Sequence, residues 1–253
     1  MTDPVRGRTA LVTGGGSGLG AAMASHLVTA GARVVLAGRR DGPLRETAQQ
    51  LGPDVRAEVC DVSDPASVRG LADRLADEQV SILVNNAGVA GPVAPLHEID
   101  LADWDEVFAA NVRGVYLVTR AFLPAMLERA DGDVVNVSSV SGKRPLPRRT
   151  PYCASKAAVL GLTTSLAVEV GPRGVRVNSL SPGPVEGDRM ERNFRLDAQR
   201  TGTSVEQARE AFVGRAALGR MVTADEVGRA LVALLAIPGM TGADVDLSAG
   251  MIA

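Results

Sequence analysis

The chain has 253 residues, 45% of them apolar and 22% charged, the balance of a globular protein with a sizeable core. A net charge of -2 and 3% aromatic residues offer neither the cationic field nor the stacking surface that nucleic-acid binding needs. Two cysteines, Cys60 and Cys153, have neither paired nor metal-like spacing, so neither a disulfide framework nor a metal site is expected.

The first ten residues, MTDPVRGRTA, lack the apolar centre of a signal peptide, and no apolar run reads as long enough to cross a membrane. The expectation is a cytoplasmic protein with no membrane partner. In chain order, TALVTG (9–14) is a short apolar run closed by glycines, which predicts a buried parallel strand. LGAAMASHLVTAG (19–31) has helical spacing and a glycine stop. ARVVLAG (32–38) predicts a second strand, PLRETAQQLG (43–52) a helix with proline at its start, and VRAEVCDV (55–62) a third strand. A helix over ASVRGLADRLAD (66–77) leads to a fourth strand, SILVNNAG (81–88). Next come a long helix near 103–128, a strand DVVNVSS (133–139), a helix over 151–170 and a strand GVRVNSLSPG (174–183). TADEVGRALVALLA (223–236) is a helix opened by a threonine cap, and ADVDLSA (243–249) a last strand.

This alternation specifies right-handed βαβ crossovers: an α/β fold with a Rossmann-type doubly wound parallel sheet and helices on both faces. No linker divides residues 1–253, so one domain is expected. Residues 184–222 break the rhythm, being long, polar and charged. Such an insertion beside strand ends reads as a substrate lid or as a disordered loop.

TGGGSGLG (13–20) joins the first strand to the first helix. Glycine lets the backbone turn tightly and approach a phosphate, and the helix N-terminus offers free N–H groups and partial positive charge to a diphosphate. The strand–turn–helix context is what gives such a motif its meaning. Tyr152 and Lys156 stand four apart in a predicted helix, hence on one face. Such a pair is either a core tyrosine beside a surface lysine or a proton donor with its tuning charge, since a nearby ammonium favours the phenolate and lowers a pKa that is ordinarily ~10.

From Thr13 the turn reads T-G-x-x-x-G-x-G, with Gly14, Gly18 and Gly20 at the glycine positions. NNAG (85–88), Asn111, serines 138 and 139, Y-x-x-x-K (152–156) and Pro182–Gly183 follow it. In these motifs and their order the chain resembles the short-chain dehydrogenase/reductase family. The resemblance implies an NAD(P)-dependent oxidoreductase that interconverts a secondary alcohol and a ketone by hydride transfer. It implies Ser139, Tyr152 and Lys156 as the catalytic set, with Asn111 in support through a water that links Lys156 to solvent. Ser139 rather than Ser138 is chosen because it stands thirteen positions before Tyr152, the family's spacing. By the same resemblance the cofactor is held by Gly14, Ser17, Gly18, Leu19 and Gly20, by Asp61 and Val62 at the adenine, by Asn86 and Gly88, by Tyr152 and Lys156, and by Pro182 and Gly183. Gly187 occupies a position where the family often has threonine, so an amide contact there falls to backbone or is lost. His26 and His97 belong to no constellation.

The second strand ends VVLAGRR. Where NAD-using relatives commonly place an acidic residue, this chain has Gly38, followed by Arg39 and Arg40, which suits a 2′-phosphate. Ser17 stands where NADP-using relatives often carry a basic residue. NADP(H) is the favoured cofactor and NAD(H) the second choice. GKRPLPRRT (142–150) places Lys143, Arg144, Arg148 and Arg149 between Ser139 and Tyr152, either as a solvated loop or as a cationic mouth for an anionic substrate. The helices near 103–128 and 151–170 carry more apolar surface than one sheet-facing stripe needs. The family pairs these helices, so a homotetramer is expected, with a dimer as second choice. Two other functions remain open: an epimerase or dehydratase, and a catalytically silent regulator or scaffold on the same fold.

Overall fold

Short apolar runs become strands here because a sheet covered on both faces buries every side chain of its central strands. β1 (Thr9–Thr13), β4 (Val80–Asn85) and β5 (Gly132–Val137) are buried along their whole length. The edge strands β3 (Val55–Val59) and β7 (Asp244–Leu247) are only partly covered. With β2 (Arg33–Gly38) and β6 (Val175–Pro182) they form one parallel sheet, ordered β3-β2-β1-β4-β5-β6-β7. This is a computed structural model, and it describes residues 4–251 apart from the side chain of Asp188. The ends of the expected domain, 1–3 and 252–253, lie outside the described residues.

Alternation along each strand divides the core in two. Ala10 and Val12 face one side, with Leu36, Ile82 and Val84, against Met23 and Leu27 of α1 (Gly18–Thr29) and Leu231 and Leu235 of α9 (Ala224–Leu235). Leu11, Val35, Leu83 and Val134 face the other, against α3 (Pro65–Arg74), α5 (Gly114–Arg129) and α6 (Thr150–Val170). α2 (Asp41–Leu51) covers β3 and sends Leu44 into the first core. The expected threonine cap is present: Thr223 Oγ1 accepts from the Glu226 N–H, and Glu226 reaches back to the Thr223 N–H. The chain lays β2 and β3 on one side of β1 and then returns to build β4 to β7 on the other. At that reversal a crevice opens beyond the C-terminal strand ends.

Three expectations need correction. β3, β4 and β5 stop short of their predicted ends, so Asp61, Val62, Asn86, Gly88 and Ser139 lie in the segments just beyond them. The chain leaves the sheet there to line the crevice. The predicted long helix is two helices, α4 (Leu101–Phe108) and α5, joined by a π turn over Ala109–Arg113 that carries Asn111. Finally, Thr150–Arg173 is by length and composition apolar enough to span a membrane. It packs instead on β6, with Ser155, Lys156, Val159, Thr163 and Ala167 on its buried side.

Residues 184–222 are ordered as a helical hairpin. α7 (Asp188–Thr201) and α8 (Val205–Val213) pack through Phe194 and Phe212, whose rings meet edge-on at 5.7 Å, beside Met190 and Met221. The base is closed by a parallel bridge between Val185 and Val222.

Candidate active site

The turn between β1 and α1 is shaped by close approach. A Cβ on Gly20 would lie 2.1 Å from the Gly14 carbonyl oxygen, so no side chain fits there. Gly18, at φ +53°, opens directly onto the crevice. Ser17 precedes α1 without capping it, and the first turn has no acidic residue. Its N–H groups and the Ser17 hydroxyl therefore face the cleft as donors for an anion. Asn86 bolts the exit of β4 to this turn, its Nδ2 donating to the Thr13 and Gly14 carbonyls at 2.9 and 3.3 Å. Thr13 Oγ1 accepts from the Asn86 and Ala87 N–H groups.

The crevice is a cleft of ≈ 1640 Å³, more than the ~300–1,000 Å³ of an ordinary small-ligand pocket and enough for a dinucleotide with a substrate. Every residue expected at the cofactor lines it: Gly14, Ser17, Gly18, Leu19, Gly20, Arg39, Asp61, Val62, Asn86, Gly88, Tyr152, Lys156, Pro182 and Gly183. At one end Gly38 and Arg39 line the cleft, and a Cβ on Gly38 would already touch the Leu44 side chain at 3.5 Å. Asp61 accepts from the Ser63 N–H and hydroxyl at 2.9 and 2.7 Å. Burial raises the Asp61 pKa, but these bonds and the charges of Arg39 and Arg113 outweigh it and hold the carboxyl below its ordinary range.

At the other end α6 presents Tyr152 and Lys156 one turn apart. Lys156 is buried, donates to the Val137 carbonyl at 2.8 Å, and lies 5.8 Å from the centre of the Tyr152 ring. Burial opposes ionisation of the phenol. The charges of Lys156 and Arg189 and the donors Ser139 and Arg189 outweigh it, so the Tyr152 pKa falls below its usual value. Burial lowers the Lys156 pKa, which the phenolate partly offsets. Ser139 lines the cleft beside Tyr152, and its Oγ also accepts from the Ser141 N–H. Ser138 turns inward and donates to the Lys156 carbonyl at 2.9 Å.

Asn111 is buried and does not line the cleft. Its Oδ1 accepts from the Val89 N–H at 2.8 Å, and its Nδ2 donates to the Val89 carbonyl and to Ser155 Oγ, each at 3.0 Å. No hydrogen bond of its side chain reaches Lys156. It holds the irregular segment following Gly88 against α6. A Cβ on Gly88 would lie 2.7 Å from Asn111 Oδ1 and 3.8 Å from Lys156 Nζ, so the three groups crowd together.

The basic segment divides. Lys143 pairs with Asp244 and Asp246 of β7, and Arg144 bonds the carbonyl of Met251 beyond that strand. Arg144, Arg148 and Arg149 line the cleft, and Lys143 does not. Arg189, at the start of α7, carries no signal in the sequence. Its guanidinium carbon lies 5.6 Å from the Tyr152 ring centre.

The profile of the family described as short chain dehydrogenase matches residues 8–199. The chain is 45% identical over 181 residues to D-threitol dehydrogenase of Mycolicibacterium smegmatis, a match covering 70% of this chain and 69% of that protein. It is also similar to a crystal structure of xylitol dehydrogenase with NAD+ (TM-score 0.91, 29% identity, 97% of this chain and 99% of that one). A further likeness is to actinorhodin polyketide ketoreductase with NADPH (TM-score 0.92, 31% identity, 99% of each chain).

Proposed function

The chain belongs to the short-chain dehydrogenase family and is an NAD(P)-dependent oxidoreductase of alcohols and ketones; on that premise we propose that Tyr152 is its general acid and base. The observation that carries this is Lys156, buried and fixed by Val137, beside a phenol whose pKa is lowered. A bound nicotinamide supplies hydride to the carbonyl carbon in reduction and accepts it in oxidation. Tyr152 gives its proton to the carbonyl oxygen in the first direction and takes the hydroxyl proton in the second. Ser139 donates a hydrogen bond to the same oxygen. The charge of Lys156 favours the phenolate, and Asn111 positions α6 through Ser155 and Val89. The test is the change in nicotinamide absorbance with a panel of ketones and alcohols: no turnover with any would sink this assignment.

Residues 1–253 form one dinucleotide-binding and catalytic domain in this reading, with 184–222 as its substrate lid. NADP(H) is the preferred cofactor, supported by the absence of an acidic side chain at Gly38 and by Arg39, both of which line the cleft. The assembly is a homotetramer, supported by Tyr116 and Val168, which α5 and α6 leave 49% and 79% exposed. The enzyme is cytoplasmic, in keeping with two buried free thiols, Cys60 and Cys153.

A further inference from the structure

The cations around the cleft differ in how they are matched. Arg200 pairs with Asp197, Arg209 with Glu191, and Arg215 stacks on Phe212. Arg149, three residues before Tyr152, is different. Its two terminal nitrogens donate to the Ala90 carbonyl at 3.3 Å and to Asn193 Oδ1 at 3.2 Å, both neutral acceptors. These bonds fix the guanidinium without cancelling its charge. Arg189 comes from the other side, from α7, and lies over the Tyr152 ring. Both guanidiniums line the cleft at Tyr152, and burial depresses the Arg149 pKa, with the charge of Arg189 adding to it. Among the described residues no carboxylate forms an ion pair with either.

Two arginines cannot relieve such repulsion by deprotonation. Holding like charges together in a partly buried cleft is unfavourable unless a negative group joins them. Planar guanidinium forks match carboxylate and sulfonate oxygens in pairs. Arg39, the cation read for a cofactor phosphate, lies at the opposite end of the cleft beside Asp61. The Tyr152 phenolate offsets part of this charge when it forms, and a second anion drawn to Arg149 and Arg189 would come from the substrate.

We propose that Arg149 and Arg189 clamp an anionic group of the substrate, which is a short ketone or secondary alcohol bearing a carboxylate or a sulfonate. The proposal rests on the oxidoreductase assignment of the preceding section. The anion makes and breaks no covalent bond. It orients the substrate so that its carbonyl or hydroxyl oxygen meets Tyr152 and Ser139. The lid contributes Arg189 directly, and it contributes Asn193 as the acceptor that steadies Arg149, so substrate charge is read between lid and α6.

The experiment uses matched pairs that share a carbonyl and differ in charge: acetoacetate against methyl acetoacetate, and acetonesulfonate against hydroxyacetone, with a neutral tetritol in the oxidative direction. In the wild type at least one charged member should exceed its neutral mate in kcat/KM by about tenfold or more. In Arg149→Met and in Arg189→Met that ratio should fall to within about twofold of unity, and Arg149→Lys should retain part of it. Calorimetric titration of the two anions into the protein with oxidised cofactor gives a readout independent of turnover, and their binding should be lost in both Met variants. Preference for the neutral mates or the tetritol overturns the clamp and leaves the oxidoreductase intact. So does a charged-to-neutral ratio unchanged in the variants, which would mean the arginines act only on Tyr152. If nothing turns over, the oxidoreductase assignment fails, and calorimetry alone decides the clamp: binding that depends on both arginines upholds it, and no binding overturns it.

Discussion

The Lys156 ammonium lies 5.8 Å from the centre of the Tyr152 ring, and its 2.8 Å hydrogen bond to the Val137 carbonyl ties it to the end of β5. The lysine therefore cannot swing away from the phenol without leaving a buried cation short of its acceptor. The phenol is tuned by a charge of fixed position.

Tyr152→Phe keeps the ring and removes the proton donor. Turnover should fall by at least ~10²–10⁴, the usual contribution of general acid–base catalysis, while cofactor binding stays near normal. Steady-state kinetics with a fluorescence titration of cofactor measures both. Near-normal turnover would remove Tyr152 from the role.

Alcohol oxidation requires the phenolate, so kcat/KM for oxidation should rise with pH through the Tyr152 pKa and level off above it. Because the neighbouring cations lower that pKa, the rise should come below the ordinary tyrosine range. Lys156→Met removes the largest lowering influence and should move the rise to higher pH. A pH–rate profile with the same midpoint in both proteins would contradict this.

Gly20→Ala places a methyl where the Gly14 carbonyl oxygen already lies. Relief requires backbone movement in the turn that receives the diphosphate. Overpacking of this kind costs about 1–3 kcal/mol. Thermal unfolding should show a lower Tm, and cofactor affinity should drop more than stability does. Unchanged Tm and cofactor Kd would show that the turn yields freely.

Arg39→Ala tests the cofactor. The wild type should favour NADPH in kcat/KM, and the variant should lose mainly that preference. A wild type that favours NADH by about tenfold, some 1.4 kcal/mol, would mean the end of β2 has been misread.

Light scattering at micromolar concentration should give the mass of four chains. Charges introduced at Tyr116 and Val168 should lower it, since both are exposed apolar side chains on α5 and α6. A monomer mass for the wild type would refute the tetramer.

The sheet was legible because its signal is local: runs such as TALVT and SILVN are apolar enough to name a buried strand alone. The glycine turn and the Tyr152–Lys156 pair were legible because their spacing is fixed by one turn of chain. Asn111 shows the limit. A π turn leaves no clear mark in composition, so the long helix read as continuous, and the amide's engagement with Val89 and Ser155 depends on distant segments. In α7 the apolar residues Met190, Phe194 and Ala198 do recur at four-residue spacing, but the surrounding charges hide them. Lys143 looked unpaired because its carboxylates, Asp244 and Asp246, come from the far end of the chain. Arg189 meets Tyr152 only once the insertion folds back.

The bridge between Val185 and Val222 brings both ends of the insertion together in a parallel pairing, reinforced by the Glu186 N–H to Val222 carbonyl and Val222 N–H to Pro184 carbonyl bonds. A segment whose entry and exit adjoin is interchangeable. It can be exchanged for another of different length without moving β6 or α9, and what travels with it includes Arg189 and Asn193. In the proposed reading, the part of the clamp carried by Arg189 and Asn193 can thus change without altering the glycine turn or the sheet, while Arg149 stays at the start of α6.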